Sequence, residues 1–279
     1  MAVDEALVLG GGGVAGIAWM TGLLTGLAEA GQDVTGADVV IGTSAGATVA
    51  AQIGSGLSLA ELFARQTEPP LQSAEIMAEI DIAEFGEQFE RYMTGATSQE
   101  EIMRAAGAWA LAARTVPEAD RRMVIESRLP SHEWPSRRIE LVAIDCQSGL
   151  TRVFSRQSGV SLVDAVAAST AVPGIWPPVT IDGRRYMDGG VRSMDNADLA
   201  AGAARIMVIS PFGMNSEVPT PMPLPGVVAQ LRAGGAEVTV LQPDEASVAA
   251  VGANPLDPAT RIPAAKAGRA QGRAGLPES

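Results

Sequence analysis

The sequence predicts an α/β protein with three layers, α/β/α, around a mostly parallel central sheet, together with a helical insertion. Short apolar runs typical of buried strands alternate with helical patterns along the chain. Two glycine-rich turns each lie between such a run and a helical stretch. With 279 residues, 47% of them hydrophobic, the chain is long enough to bury a complete core.

The elements of this sheet follow one another in a regular order. A run of β-type residues ends at Asp182-Gly183, which predicts the turn of a hairpin. Residues 152–154 are expected to pair back on the third strand, and residues 235–242 to contain a last strand. The remaining strands are expected at about 6–10, 38–42, 139–145 and 205–210, and helices at about 17–30, 44–54 and 161–170.

These elements divide the chain into a main domain, residues 5–210, and a C-terminal extension, residues 211–279. The extension holds the last strand and a tail, residues 262–279, that is rich in alanine, glycine and arginine. A terminal helix that frays is the simplest interpretation of this tail, although a binding role is the alternative.

Residues 58–128 differ from the rest because they are charged and nearly free of strand patterns. Helix-start signals lie at Ser58-Leu59-Ala60-Glu61 and Ser98-Gln99-Glu100-Glu101. We therefore predict a helical insertion here. Its apolar side chains could line a pocket for an apolar chain or pack on the sheet, and the sequence leaves both open. They are Ile76, Met77, Ile80, Ile82, Phe85, Phe89, Tyr92, Met93, Ile102, Met103 and Trp109.

Residues 6–28 form 23 uncharged positions in a row, which is long enough to suggest a membrane span or a signal peptide. Seven of them are glycine, four of these are consecutive, and the residues before them are acidic. Consecutive glycines would break a helix in its first turn, and a signal peptide begins with basic residues. A strand, a turn and a buried helix are therefore expected.

Charge and cysteine content restrict the partners. A formal net charge of −12 argues against nucleic acid, and against electrostatic attachment to anionic lipid. Membrane contact is therefore expected to be at most peripheral and hydrophobic. The single cysteine, Cys146, excludes an intramolecular disulfide and suggests the reducing cytoplasm. No pattern in the sequence indicates an oligomeric state.

Ser44 lies in Gly42-Thr43-Ser44-Ala45-Gly46, directly after an apolar run. A G-x-S-x-G pentapeptide between a strand and a helix is typical of a nucleophile elbow, in which the serine hydroxyl is exposed at the edge of the sheet. Such a serine needs a base, and His132 is the only histidine in the chain. Because His132 lies in a proline-bracketed connector before a strand, a carboxylate must also be considered.

Asp188 is the carboxylate that the sequence offers. It begins Asp188-Gly189-Gly190 at the end of the predicted hairpin, where sites are often built, although a plain Asp-Gly turn is the commoner interpretation of such a pair.

Residues 10–16, Gly-Gly-Gly-Gly-Val-Ala-Gly, supply a third element. Consecutive glycines before a helix can direct backbone N–H groups at a developing oxyanion. Residues 11–16 also match the dinucleotide pattern G-x-G-x-x-G, but Gly42-Thr43-Ser44 replaces the acidic residue that such a site needs after its second strand. We therefore expect no cofactor, and one histidine with one cysteine predicts no metal site.

These three blocks, in this order, resemble the patatin-like phospholipase family. A fourth stretch, residues 168–178, is similar to the segment before the aspartate in bacterial members. The resemblance spans about residues 5–210 and implies a Ser44–Asp188 dyad in which Asp188 is the base. It also implies an oxyanion hole from Gly11, Gly12 and Gly13. The glycines that would support these motifs are Gly16, Gly42, Gly46, Gly189 and Gly190.

The resemblance implies a serine lipid acyl hydrolase that acts through an acyl-enzyme. Acyl transfer at the same site, or a binding protein without catalysis, are the alternatives. The family usually has a basic residue where this chain has Ala15. We therefore expect neutral esters to be hydrolysed at least as well as anionic phospholipids, with Arg184, Arg185 and Arg192 the first candidates for any basic subsite.

Overall fold

The computed structural model describes residues 3–77, 87–88, 90–91, 94–96, 98–216 and 218–276. Its central sheet has eight strands in the order β5-β6-β3-β2-β1-β7-β8, and β4 also pairs with β3. β1, β2, β3, β7 and β8 run parallel, whereas β4, β5 and β6 pair antiparallel. The strands are β1 Glu5–Leu9, β2 Val39–Thr43, β3 Arg138–Asp145, β4 Thr151–Phe154, β5 Val179–Ile181, β6 Arg184–Asp188, β7 Arg205–Ile209 and β8 Glu237–Leu241.

Helices cover both faces of this sheet. The α-helices in the described residues are α1 Gly13–Glu29, α2 Ala45–Ile53, α3 Leu59–Thr67, α4 Gln99–Ala112, α5 Glu118–Arg128, α6 Leu162–Ser169, α7 Leu224–Ala233, α8 Glu245–Val251 and α9 Arg261–Arg273.

The residues of β1 show how the layers form. Successive side chains of a strand point to opposite faces. Leu7 and Leu9 pack in the core shared with α1, α2 and α6. Ala6 and Val8 pack on the other face in the core that includes α7. Since both faces are apolar, the strand reads as an unbroken hydrophobic run, and the predicted three-layer fold is confirmed.

The predicted local pairings are also confirmed. β4 is antiparallel to β3, with Val142 opposite Val153. β5 and β6 form the hairpin, and both turn residues, Asp182 and Gly183, have positive φ angles of 49° and 76°. Two positive φ values are what the tight turn of a two-residue hairpin requires, and Asp-Gly is a favoured pair for it.

The described residues between 58 and 128 contain the helices α3, α4 and α5, with turns and coil between them. The side chain of Ser58 accepts from the backbone of Glu61, whose own side chain accepts in return, so the predicted capping box begins α3. Ser98 caps α4 in the same way by accepting from the amide of Glu101. Six of the apolar residues named above lie outside the described residues, namely Ile80, Ile82, Phe85, Phe89, Tyr92 and Met93.

The C-terminal residues differ from the expectation of a fraying tail. β8 joins the sheet beside β7, and α9 packs along α1. The two helices approach closely because glycines face each other: a side chain at Gly22 or Gly26 would overlap the backbone of α9, and one at Gly268 or Gly272 would overlap that of α1. Arg269 and Arg273 also pair with Glu29. The division at residue 210 itself stays a prediction.

The long uncharged stretch near the N-terminus forms β1, a turn and α1, as expected. Among the described residues, no helix combines the length and apolar character that a membrane span would need.

We predict that Gly268→Ala lowers the free energy of unfolding by about 1–3 kcal/mol, because its new methyl group must displace the α1 backbone at Trp19. Gly226→Ala in α7 is the matched control, since nothing lies within 4 Å of the added carbon. The control should gain up to about 1 kcal/mol from helix propensity. Urea unfolding of both variants measures this, and equal effects would contradict the close packing of α1 and α9.

Candidate active site

Strand register brings the three motifs to one edge of the sheet. Leu9, which precedes the glycine-rich turn, is opposite Gly42, and Thr43 is opposite Val142 of β3. The next residue of β3, Ala143, is opposite Asp188. β3 therefore pairs both with β2, which leads into Ser44, and with β6, which ends at Asp188. The glycine-rich turn after β1 lies beside them.

Ser44 occupies a strained turn between β2 and α2. Its φ and ψ angles are 54° and −113°, which only glycine adopts readily. The turn is held because the Ser44 amide donates to Ser169 Oγ at 3.0 Å, and this hydroxyl donates to the Val142 carbonyl at 2.6 Å. Gly46 then allows α2 to pass against the Leu9 carbonyl, where a side chain would overlap it. This is the geometry of a nucleophile elbow.

Asp188 is buried at the end of β6. Its Oδ1 accepts from the Gly190 amide at 2.7 Å, whereas Oδ2 has no hydrogen-bond partner of normal geometry among the described residues. Burial raises the pKa of Asp188 to about 7, although the nearby Ser44 hydroxyl and the Gly190 amide act in the opposite direction. A carboxylate with this pKa exchanges protons near neutral pH, as a general base must.

The glycine-rich turn provides fewer free amides than predicted. The Gly11 amide donates to the Met194 carbonyl at 2.8 Å, so this N–H group is already engaged. The amides of Gly12 and Gly13 have no acceptor in the part of the chain that the structure describes. Both lie at the N-terminus of α1, where unpaired N–H groups and the helix dipole favour an anion. Gly13 has a positive φ of 62°, a backbone conformation that favours glycine at this position.

The other predicted glycines support these turns. The Gly16 amide donates to the Gly12 carbonyl at 2.7 Å. A side chain at Gly42 would lie 2.6 Å from the Gly46 carbonyl, and one at Gly189 would lie 2.6 Å from the Val142 carbonyl. Gly42 and Gly189 therefore occupy positions that need a residue without a side chain.

A cavity of about 560 Å³ opens onto Ser44, Asp188 and the glycine-rich turn. Ile76 and Trp109, two of the apolar residues predicted in the insertion, line it, whereas Met103 packs under the sheet against Ile144. Some of the apolar residues of the insertion therefore line the cavity, whereas others pack on the sheet. Other apolar lining residues are Val14, Ile17, Ala45, Ala106, Val172, Pro173, Ile175, Trp176, Val191, Met194, Phe212, Val218, Pro219, Ala253, Pro255 and Leu256.

His132 and Cys146 lie apart from this site. His132 is half exposed and contacts Glu126. Neither His132 nor Cys146 lines the cavity. Burial raises the pKa of the Cys146 thiol to about 12, which leaves it a poor nucleophile. In the described ranges, no group of three or more His, Cys, Asp or Glu side chains is arranged to hold a metal ion.

Some supporting residues gave no signal in the sequence. Ser169 lies within a motif stretch, but nothing marked its bond to Ser44. The side-chain amide of Asn196 donates to Thr43 Oγ1 and to the carbonyls of Gly189 and Ser193. Asp195 is buried against Gly10, and burial raises its pKa to about 7. Only contacts between distant segments identify these roles.

The sequence over residues 7–201 matches the family model for patatin-like phospholipases. The chain belongs to this family. The resemblance inferred from the motifs is thus confirmed over most of the predicted main domain. No curated protein sequence gives a significant match to this patatin-like phospholipase.

Two solved structures are similar to this patatin-like phospholipase. VipD from Legionella pneumophila is 14% identical with a TM-score of 0.38, over 75% of this chain and 50% of VipD. The type III effector protein ExoU is 15% identical with a TM-score of 0.39, over 97% of this chain and 52% of ExoU. The chain spans about half the length of each.

The pKa of Asp188 predicts how stability changes with pH. This group has a pKa of about 7 when folded against 3.8 for a free side chain, so the folded protein holds the extra proton between these values. Stability therefore falls as pH rises through this window. Asparagine removes the effect, so the free energy of unfolding of Asp188→Asn relative to wild type should rise by about 2–3 kcal/mol between about pH 5 and pH 8.

Urea unfolding of both proteins at the two pH values measures this difference. Asp195, which titrates in the same range, is present in both proteins and should cancel. A difference that does not change with pH would show that Asp188 has an ordinary pKa.

Proposed function

We propose that this patatin-like phospholipase is a serine acyl hydrolase in which Ser44 is the nucleophile and Asp188 the general base. The observation that carries the proposal is the pairing of a strained, cavity-facing Ser44 with a buried carboxylate whose Oδ2 finds no partner among the described residues. Membership of the family supports hydrolysis of lipid acyl esters in general.

In the first half of the reaction, Ser44 Oγ attacks the ester carbonyl while its proton passes to Asp188 Oδ2. The carbonyl oxygen becomes an oxyanion, and the amides of Gly12 and Gly13 are the donors that stabilise it. Gly11 contributes by fixing the turn through its bond to Met194. The tetrahedral intermediate then collapses, and the alcohol leaves with the proton from Asp188.

In the second half, water attacks the acyl-enzyme and gives its proton to Asp188. Collapse of the second intermediate releases the carboxylic acid, and the proton returns to Ser44 Oγ. Asp188 thus alternates between proton acceptor and donor, which a pKa of about 7 allows near neutral pH. No step requires a metal ion or an organic cofactor.

The cavity is suited in size and polarity to an acyl chain bound beside Ser44. Its walls are mostly apolar, and about 560 Å³ is within the usual range of sites for small molecules. The proposed substrates are therefore esters with an aliphatic acyl group. A cytoplasmic location, inferred from the single cysteine, stays part of this proposal.

The first test is Ser44→Ala. We expect ester hydrolysis to fall on the order of a thousandfold or more, and covalent labelling by a fluorophosphonate to disappear, while circular dichroism is unchanged. Ser148→Ala, in the turn between β3 and β4, is the control and should keep full activity. A folded Ser44→Ala protein that keeps most of its activity would place the nucleophile elsewhere.

The second test compares the two possible bases. Asp188→Asn should lower kcat on the order of a hundredfold or more, which is typical for the loss of a general base. His132→Ala should change kcat by less than roughly tenfold, since this side chain is half exposed and contacts Glu126. Steady-state kinetics of both variants decide the point. A collapse of kcat in His132→Ala, with the fold intact, would argue for a triad that includes this histidine.

A further inference from the structure

A buried ionic cluster lies in the wall of the same cavity. It contains Glu75 with Arg121, Arg128 and Arg261, and these four side chains are only 5–7% exposed. Arg128 binds Glu75 through both carboxylate oxygens, at 2.9 Å and 2.5 Å, and Arg261 Nη2 binds Oε1 at 2.6 Å. One carboxylate thus serves three guanidinium groups, and the four residues carry a formal charge of +2.

Arg121 is the member for which the described residues offer no hydrogen-bond partner. Its nearest approach to Glu75 is 3.9 Å, which is beyond hydrogen-bond distance. Its Nε and Nη1 atoms are fully buried and have no acceptor among the described residues. The guanidinium stacks on the Trp176 ring at 3.7 Å. Burial and the neighbouring charge of Arg128 lower the pKa of Arg121.

The stacking on Trp176 does not by itself explain why Arg121 is buried. A cation on an aromatic ring gains less than its removal from water costs, and unmade hydrogen bonds add to this cost. The contact with Trp176 alone therefore does not offset the burial of Arg121. An anion in the cavity would supply the negative charge that this guanidinium lacks.

Arg121 lines the cavity that also contains Ser44 and Asp188. We propose that Arg121 forms an anion subsite, which binds the carboxylate or phosphate group of an amphiphile whose apolar chain lies in this cavity. The inference rests on the proposed function in so far as it describes the substrate of that site. A guanidinium group pairs favourably with either anion. Because Trp176, Ile76 and Trp109 also line the cavity, an amphiphile fits better than a free anion.

This subsite is different from the one that the sequence suggests. Arg184 pairs with Asp145, Arg185 donates to the Pro178 carbonyl, and Arg192 pairs with Asp198. Each of those arginines has an acceptor within the protein. With Arg121 as the subsite, anionic amphiphiles are preferred over neutral ones, in contrast to the expectation drawn from Ala15.

Binding to the Ser44→Ala protein tests the proposal without turnover. The probes are decanoate, decyl phosphate and decanol, which share one alkyl chain, and calorimetry gives their affinities. At least one anionic probe should bind about tenfold or more tightly than decanol, which is the worth of a charged hydrogen bond. Comparison of the two anions identifies whether a carboxylate or a phosphate source fits better. Equal affinity for all three probes would overturn the proposal.

Two further measurements locate the subsite. Arg121→Met, in the same background, should lose about tenfold of the anion affinity and keep that for decanol within about twofold. Arg122→Met is the matched control on the same helix, because that side chain is 40% exposed and pairs with Asp164 and Glu126. Anion preference that survives in Arg121→Met would overturn the assignment.

Salt dependence needs no substitution at Arg121, so it decides even if Arg121→Met does not fold. A buried subsite is screened little, and the preference for the anion should persist as salt is raised, whereas a surface patch would lose it. A preference that fades with salt would overturn the buried subsite. None of these measurements uses hydrolysis, so failure of the proposed reaction and failure of the subsite are separate results.

Discussion

The pairing of β3 with both β2 and β6 is the constraint on which the site depends. Val142 and Ala143 are consecutive residues, and their partners are Thr43 and Asp188. A shift of one residue in either pairing would turn the side chains to the opposite face of the sheet. Ser44 and Asp188 are therefore positioned by backbone pairing with the largely buried strand β3.

The same burial has a cost, and part of it falls at and beside the site. Asp188, Asp195 and Arg121 are each buried with polar atoms that lack partners among the described residues. Such groups lower stability, and proteins retain them where they serve a function. The apolar core on both faces of the sheet, together with the close contact of α1 and α9, is what allows the fold to tolerate them.

Local signals explain most of what could be predicted from the sequence. Apolar runs beside glycine-rich turns located β1, β2 and the turn at Ser44, Asp182-Gly183 located the hairpin, and Ser58 located the start of α3. Residues that act through distant partners gave no such signal. Ser169 and Arg121 look ordinary within their helices, and the Met194 carbonyl that engages the Gly11 amide is a backbone group. Their roles depend on chain segments that only folding brings together.

The contact between the first and last helices has a consequence for the order of folding. Arg269 meets Glu29 across 240 residues of sequence, and α1 begins at the turn that includes Gly12. Pro255 and Leu256 also line the cavity beside Gly13. During synthesis α1 emerges from the ribosome before α9. Its contacts with α9, and those of Gly13 with Pro255 and Leu256, cannot form until these later residues have been made. Contacts of such long range make folding slow, and a ribosome-bound chain that stops before residue 253 lacks the part of the cavity wall formed by residues 253–256.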